Sequence, residues 1–178
     1  MKRLVLLFAI FIQVISTDAQ VISITSGSID FRSDAPLELI KAGTEELKGK
    51  IDISKKQFAF TVKITSFKGF NSPLQKEHFN ENYMESKIYP DATFAGKIIE
   101  DLNLETDGTF SIRAKGKLTV HGVTRERIIK SDVIIKNKKL SLTSFFTVLL
   151  DDHNIPIPKV VHEKLASEIK VEVKASFD

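Results

Sequence analysis

The chain has no cysteine and no tryptophan among its 178 residues. The first absence excludes disulfides, thiolate catalysis, cysteine-ligated zinc and iron–sulfur clusters, so stability must come from packing. No glycine-rich phosphate loop, no HExxH and no G-x-S-x-G is present. The four His (His78, His121, His153 and His162) show no metal-ligand spacing. These absences predict no catalytic residues, no metal and no cofactor. Neither sign of charge dominates: 26 Lys and Arg stand against 23 Asp and Glu, and both are spread along the chain. That pattern lacks the basic stripe with exposed aromatics that nucleic-acid binding requires.

Long apolar runs are also missing. The longest, Leu4 to Ile15 with one interruption at Gln13, falls short of the about 20 residues a membrane-spanning helix needs. It follows Lys2 and Arg3 and precedes Ser16-Thr17-Asp18-Ala19. A charged start, an apolar middle and small residues at the end predict a cleavable signal peptide over residues 1–19, cut before Gln20. The expectation is an exported chain, periplasmic or secreted, with one domain over 20–178 and no transmembrane segment in the mature protein. The sequence leaves a homodimer open.

What the chain has in quantity is phenylalanine, thirteen in all. Phe8 and Phe11 belong to the leader, which leaves eleven for the fold. Phe carries no polar handle, so it must pack in a core or line an apolar cavity. Period-two alternation places several of these rings. Phe58, Phe60, Val62 and Ile64 face one way; Phe110, Ile112, Ala114, Gly116, Leu118 and Val120 share a second face; Ile169, Val171, Val173, Ala175 and Phe177 share a third. Further strands are predicted over 28–33, 37–42, 47–53, 93–99, 127–136 and 139–149. Asp107-Gly108 gives a strong hairpin-turn signal and Asn137-Lys138 a weaker one. Residues 72–89 break the alternation and read as a short helical insert opened by Pro73. Residues 151–166 form a second non-strand stretch, with His153 read as part of a solvated acidic turn beside Asp151 and Asp152.

Eight or nine antiparallel strands must hide their edges, and closure into a barrel does so completely. The fold class is therefore all-β: an extended antiparallel barrel of about eight strands with a helical insert. An eight-stranded barrel is either filled by side chains or holds one small ligand. Its inward positions carry no charge, so the expected ligand is apolar. The predicted lumen residues are Phe60, Val62, Ile64, Phe94, Phe110, Ile112, Leu118, Val171 and Val173. The predicted polar contacts are His78, Tyr83 and His121. His121 has two readings, a ligand contact or a tight-turn residue hydrogen-bonded to backbone.

The segments Ser66-Phe67-Lys68-Gly69-Phe70-Asn71-Ser72, His78-Phe79-Asn80-Glu81-Asn82-Tyr83, Tyr89-Pro90-Asp91-Ala92-Thr93-Phe94-Ala95-Gly96 and Leu118-Thr119-Val120-His121-Gly122-Val123-Thr124-Arg125 occur in that order. In this the chain resembles the YceI-like family of exported bacterial proteins, from about Gly27 to Phe177. The resemblance implies a lipocalin-like barrel whose tunnel holds a polyisoprenoid, such as an isoprenoid quinone, or another long-chain lipid. It implies binding, sequestration or transport without catalysis. True lipocalins open with a Gly-x-Trp motif, which a chain without Trp lacks. Two other functions fit the same strands: a filled barrel serving as a structural or protein-interaction module in an envelope stress response, and a lipid hydrolase or isomerase using His121. For the leader, the expected outcome is a mature protein starting near Gln20. Intact-mass measurement of the periplasmic fraction checks this, and finding Met1 there would contradict it.

Overall fold

The computed structural model describes residues 20–178, so the expected signal peptide lies outside the described residues. Nine strands are found among them: β1 (Val21–Asp34), β2 (Leu39–Thr44), β3 (Lys48–Asp52), β4 (Gln57–Lys63), β5 (Asp91–Ile98), β6 (Gly108–Val120), β7 (Val123–Lys136), β8 (Lys139–Leu149) and β9 (Glu168–Phe177). All the strand pairings are antiparallel, and β9 returns to pair with β1. This closes a barrel of eight strands, β1 and β3 to β9, and removes the long edges that an open sheet would expose; only β2 keeps a free edge. No helix among the described residues is long and apolar enough to cross a membrane.

One irregularity shapes the barrel. β1 has two partners along one edge: β3 pairs with Val21–Ser23, while β2 pairs with Ile29–Asp34. Only β3 goes on to pair with β4. Beyond that point β2 has no pairing with β4, and the irregular segment that follows β4 fills the gap. Gly43 and Lys68 exchange two backbone hydrogen bonds of 2.8 Å there. The barrel is consequently zipped shut at one end and spread at the other.

The closed end is a filled core. Ile51, Phe58, Ile98, Ile112, Val133, Ile135, Leu140 and Phe177 are buried together there. Phe58 packs against Phe60 and Phe94 with ring centroids at 5.4 and 4.8 Å, and Phe60 reaches Phe177 at 6.1 Å. Leu104, from the loop joining β5 to β6, is buried beneath them. These contacts explain why the alternation was so legible: every inward residue at this end has an apolar neighbour, and each ring buried brings a large apolar area out of water.

One turn corrects the sequence reading and another bears it out. Asp107-Gly108 does not make a hairpin. Gly108 begins β6, which runs well past the end of β5, and Asp107 instead accepts the Asn137 backbone N–H at 2.9 Å. Asn137 and Lys138 are the true two-residue turn, with φ of 52° and 64° between paired Lys136 and Lys139. Both central residues lie in the left-handed region, as a type I′ hairpin turn demands. The stronger signal lost because Asp-Gly also serves where an Asp must cap a neighbouring turn.

The insert begins as expected. Ser72 Oγ accepts the Gln75 backbone N–H at 3.1 Å and Pro73 occupies the first turn of α1 (Pro73–His78), the usual chemistry of a helix start. Phe79–Tyr83 continues as one π-helical turn. A π turn widens the spiral and is enriched at functional sites; here it brings Phe79 and Tyr83 over the spread end of the barrel.

Candidate functional site

A cavity of about 490 Å³ occupies the spread half of the barrel. Its walls are inward residues of β1, β4, β6, β8 and β9. Phe31, Val171 and Phe146 are successive cross-strand neighbours on β1, β9 and β8, and Val62 and Leu118 face them from β4 and β6. Leu74, Phe79, Tyr83 and Met84 of the insert roof the cavity, together with Phe67 and Phe70 from the segment leading into it. The 155–165 stretch adds Ile155, Val161 and Leu165. Four rings form one wall: Phe31 stacks on Phe79 with centroids 5.4 Å apart, and Phe67 and Phe70 pack around both. Polar groups sit at the rim, where Glu38, Ser72, Gln75, His78 and Lys164 border the opening. Burial raises the Tyr83 phenol above its ordinary pKa, so it stays a neutral donor and acceptor.

The roof is tied down by specific hydrogen bonds. Asn71 Nδ2 donates to the Leu39 carbonyl at 3.1 Å, and Gln75 Nε2 donates to Glu38 at 2.9 Å. Fully buried Ser33 accepts the Ala166 backbone N–H at 2.8 Å, and Leu37 N–H donates to the Glu163 carbonyl. The first pair joins the insert to β2; the second joins the 151–166 stretch to β1 and its turn.

A second space of about 110 Å³ lies deeper, toward the closed end. Ile29, Val62, Ala92, Leu118 and Phe146 border both spaces, which makes these five a waist between an upper and a lower chamber.

The structure distributes the predicted lumen residues among three places. Val62, Ile64, Leu118 and Val171 line the upper cavity, and the rim and roof bring His78 and Tyr83 to it. Phe60, Phe94, Ile112 and Val173 line the lower space. Phe110 borders neither. It packs on the closed-end core with its ring over Gly108, because β6 starts beyond the reach of β5 and its first inward residue falls at the barrel floor.

His121 also borders neither chamber. It is buried, with Nδ1 donating to the His153 carbonyl at 3.1 Å and Nε2 facing the Glu85 carboxylate at 2.7 Å. His121 and Gly122, with φ of 50° and 70°, form the two-residue turn between β6 and β7. The Tyr89 ring meets His121 edge-on at 4.8 Å and lies over Gly122, where a Cβ would collide with it. His153 is itself fully buried and donates from Nδ1 to the Val123 carbonyl at 3.0 Å, and Arg125 Nε donates to the Asp152 carbonyl at 2.7 Å. Asp151 is exposed, as in a solvated acidic turn, but His153 beside it is buried and forms part of a clamp. Tyr89-Pro90 belongs to one motif segment and His121-Gly122 and Arg125 to another, and the fold brings the two together to pin both roof pieces to one hairpin.

A family model for the YceI-like domain matches residues 19–177. The chain belongs to the YceI-like family. Among solved structures, a polyisoprenoid binding domain from Saccharophagus degradans, implicated in plant cell wall breakdown, is similar with a TM-score of 0.75 at 12% identity, over 88% of this chain and 97% of that one. Burkholderia cenocepacia BcnA is similar with a TM-score of 0.68 at 14% identity, over 84% and 95%. A Campylobacter jejuni YCEI protein has a TM-score of 0.57 at 15% identity, over 76% and 82%. At such identities the shared property is the fold. One curated relative, an NAD kinase of Fusobacterium nucleatum, is 30% identical over 179 residues; the match takes in 88% of this chain and spans 64% of that protein.

Sequence reasoning missed much of the YceI-like cavity wall. Phe31, Phe67, Phe70 and Phe79 were not among the predicted lumen residues, and neither were Ile155, Val161 and Leu165. They lie on irregular backbone or on a strand whose alternation is broken by Ser and Gly, so periodicity carried no signal. Three of the rings do sit inside the motif segments 66–72 and 78–83, which was the available clue. For the clamp, His121→Ala is expected to lower the unfolding free energy by about 1–3 kcal/mol, since it leaves the buried His153 carbonyl without its partner and frees the half-exposed Glu85. Urea denaturation reads this, and a loss under about 0.5 kcal/mol, within the range of ordinary surface substitutions, would contradict the clamp.

Proposed function

We propose that this YceI-like barrel binds a polyisoprenoid or another long-chain lipid by its tail and carries or sequesters it without chemical conversion. The observation that supports this best is the upper cavity: about 490 Å³, walled by Phe, Val, Leu and Ile, and open at the rim. Its size falls within the range of small-molecule pockets, and its apolar lining with a few polar groups at one end is their usual composition. Each methylene moved from water into such a space gains about 0.8 kcal/mol. Phe walls need no hydrogen-bond partner, so the site loses nothing when water leaves. The printed description of the Saccharophagus degradans domain as polyisoprenoid binding supports the same ligand class.

The headgroup would sit at the rim among Gln75, His78, Tyr83 and Lys164, where a quinone ring or a hydroxyl finds donors. The apolar leader at residues 1–19 supports export and a periplasmic site of action. A catalytic reading gains no support from His121, which faces Glu85 and a backbone carbonyl rather than the cavity. The kinase named for the Fusobacterium relative has no counterpart in the cavity either, whose apolar walls offer phosphates little beyond Lys164. A filled structural barrel describes only the closed half of the molecule. The expected result is that mildly purified protein carries a lipid in native mass spectrometry, and that stripped protein takes up added prenols. Repeated preparations free of lipid, with no uptake of added prenol, would overturn the reading.

A further inference from the structure

Resting on that reading, we propose that the barrel measures its ligand's tail, accepting about twenty carbons and no more, with the waist and the phenylalanine floor setting the limit. A methylene needs roughly the volume of a liquid water, about 30 Å³. The upper chamber of about 490 Å³ therefore holds about sixteen such groups, and the lower space of about 110 Å³ about four more. Below that the path ends. Phe58, Phe94, Phe60 and Phe177 are in ring contact, and Ile51, Ile112 and Leu140 are buried at 1, 2 and 1% exposure around them. Interiors of this density do not stretch to admit further atoms. A longer chain leaves its remaining carbons outside the rim, in water, where they add nothing.

Ala92 is the smallest of the five waist residues and sits opposite Val62 in the β4–β5 pair. Its methyl is what leaves the passage to the lower space open. A larger side chain there closes the passage at the point where the two spaces meet, and it should remove the last four or so carbons of capacity.

The test compares prenols that share one hydroxyl headgroup and differ in tail: ten, fifteen, twenty and forty-five carbons. Competition for stripped protein, read by native mass spectrometry, should show affinity rising at least about tenfold per five-carbon unit up to twenty carbons. From twenty to forty-five it should not rise, since no further methylene is buried and the longer tail carries the hydroxyl away from the rim. Ala92→Phe, with Val62→Phe as a second variant, should bring the twenty-carbon prenol level with the fifteen-carbon one, so that the ratio of their affinities falls to about one. Affinity that keeps climbing from twenty to forty-five carbons overturns the length limit while sustaining lipid binding. An unchanged preference for twenty over fifteen carbons in a folded variant overturns the waist's part in setting it. Failure of every prenol to bind overturns the lipid reading itself.

Discussion

The barrel's shape follows from the two partners that share one edge of β1. Where β3 pairs with both β1 and β4, the strands close tightly and the interior fills with Phe58, Phe60, Phe94 and Phe177. Where β2 takes over along β1, it has no pairing with β4, and the wall opens. An open sheet edge at that point would expose backbone groups that must find partners. The Gly43–Lys68 pair and the Asn71 bond to the Leu39 carbonyl supply them from the segment leading into the insert, and the Gln75–Glu38 side-chain bond adds a tether from the insert itself. The same device that satisfies the edge therefore builds the roof of the cavity.

Chemistry and scaffold are segregated along the barrel axis. The half that holds the molecule together is dense, and the half that holds space is lined by side chains reaching in from irregular segments. Those segments have little sheet pairing of their own, so they depend on a few side-chain bonds. The clamp of Glu85, Tyr89, His121 and His153 is the largest of these. Two of its residues, Tyr89 and His121, belong to the motif segments yet border neither chamber: these motif positions hold the roof, while Phe67, Phe70 and Phe79 of the other segments line the cavity.

The fold was legible in the sequence because strands buried on one face write their burial as alternation, and the closed half of the barrel obeys that rule strand after strand. The insert was legible too, through Pro73 and the break in periodicity. The cavity was only partly so. Val62, Leu118 and Val171 stood out by alternation, yet the same alternation nominated Phe110, which lies on the floor, because period two reports a face and not a depth. His121 stood out by its motif, and its buried pairing with Glu85 depends on a contact across thirty-six residues that no local pattern encodes. Phe31 and Phe79 meet in a stacked pair although one is on β1 and the other on a π-helical turn; the four-ring wall exists only once the barrel has closed.

Everything functional in this account depends on the spread half being a dry receptacle for a lipid tail. A crystal structure of the protein with the twenty-carbon prenol tests that claim most directly. The account predicts continuous density running from the rim near Lys164, between Phe31 and Leu118, to the waist at Ala92, with the hydroxyl at the rim. A cavity holding ordered water, or prenol bound on the outer face of the barrel, would contradict it.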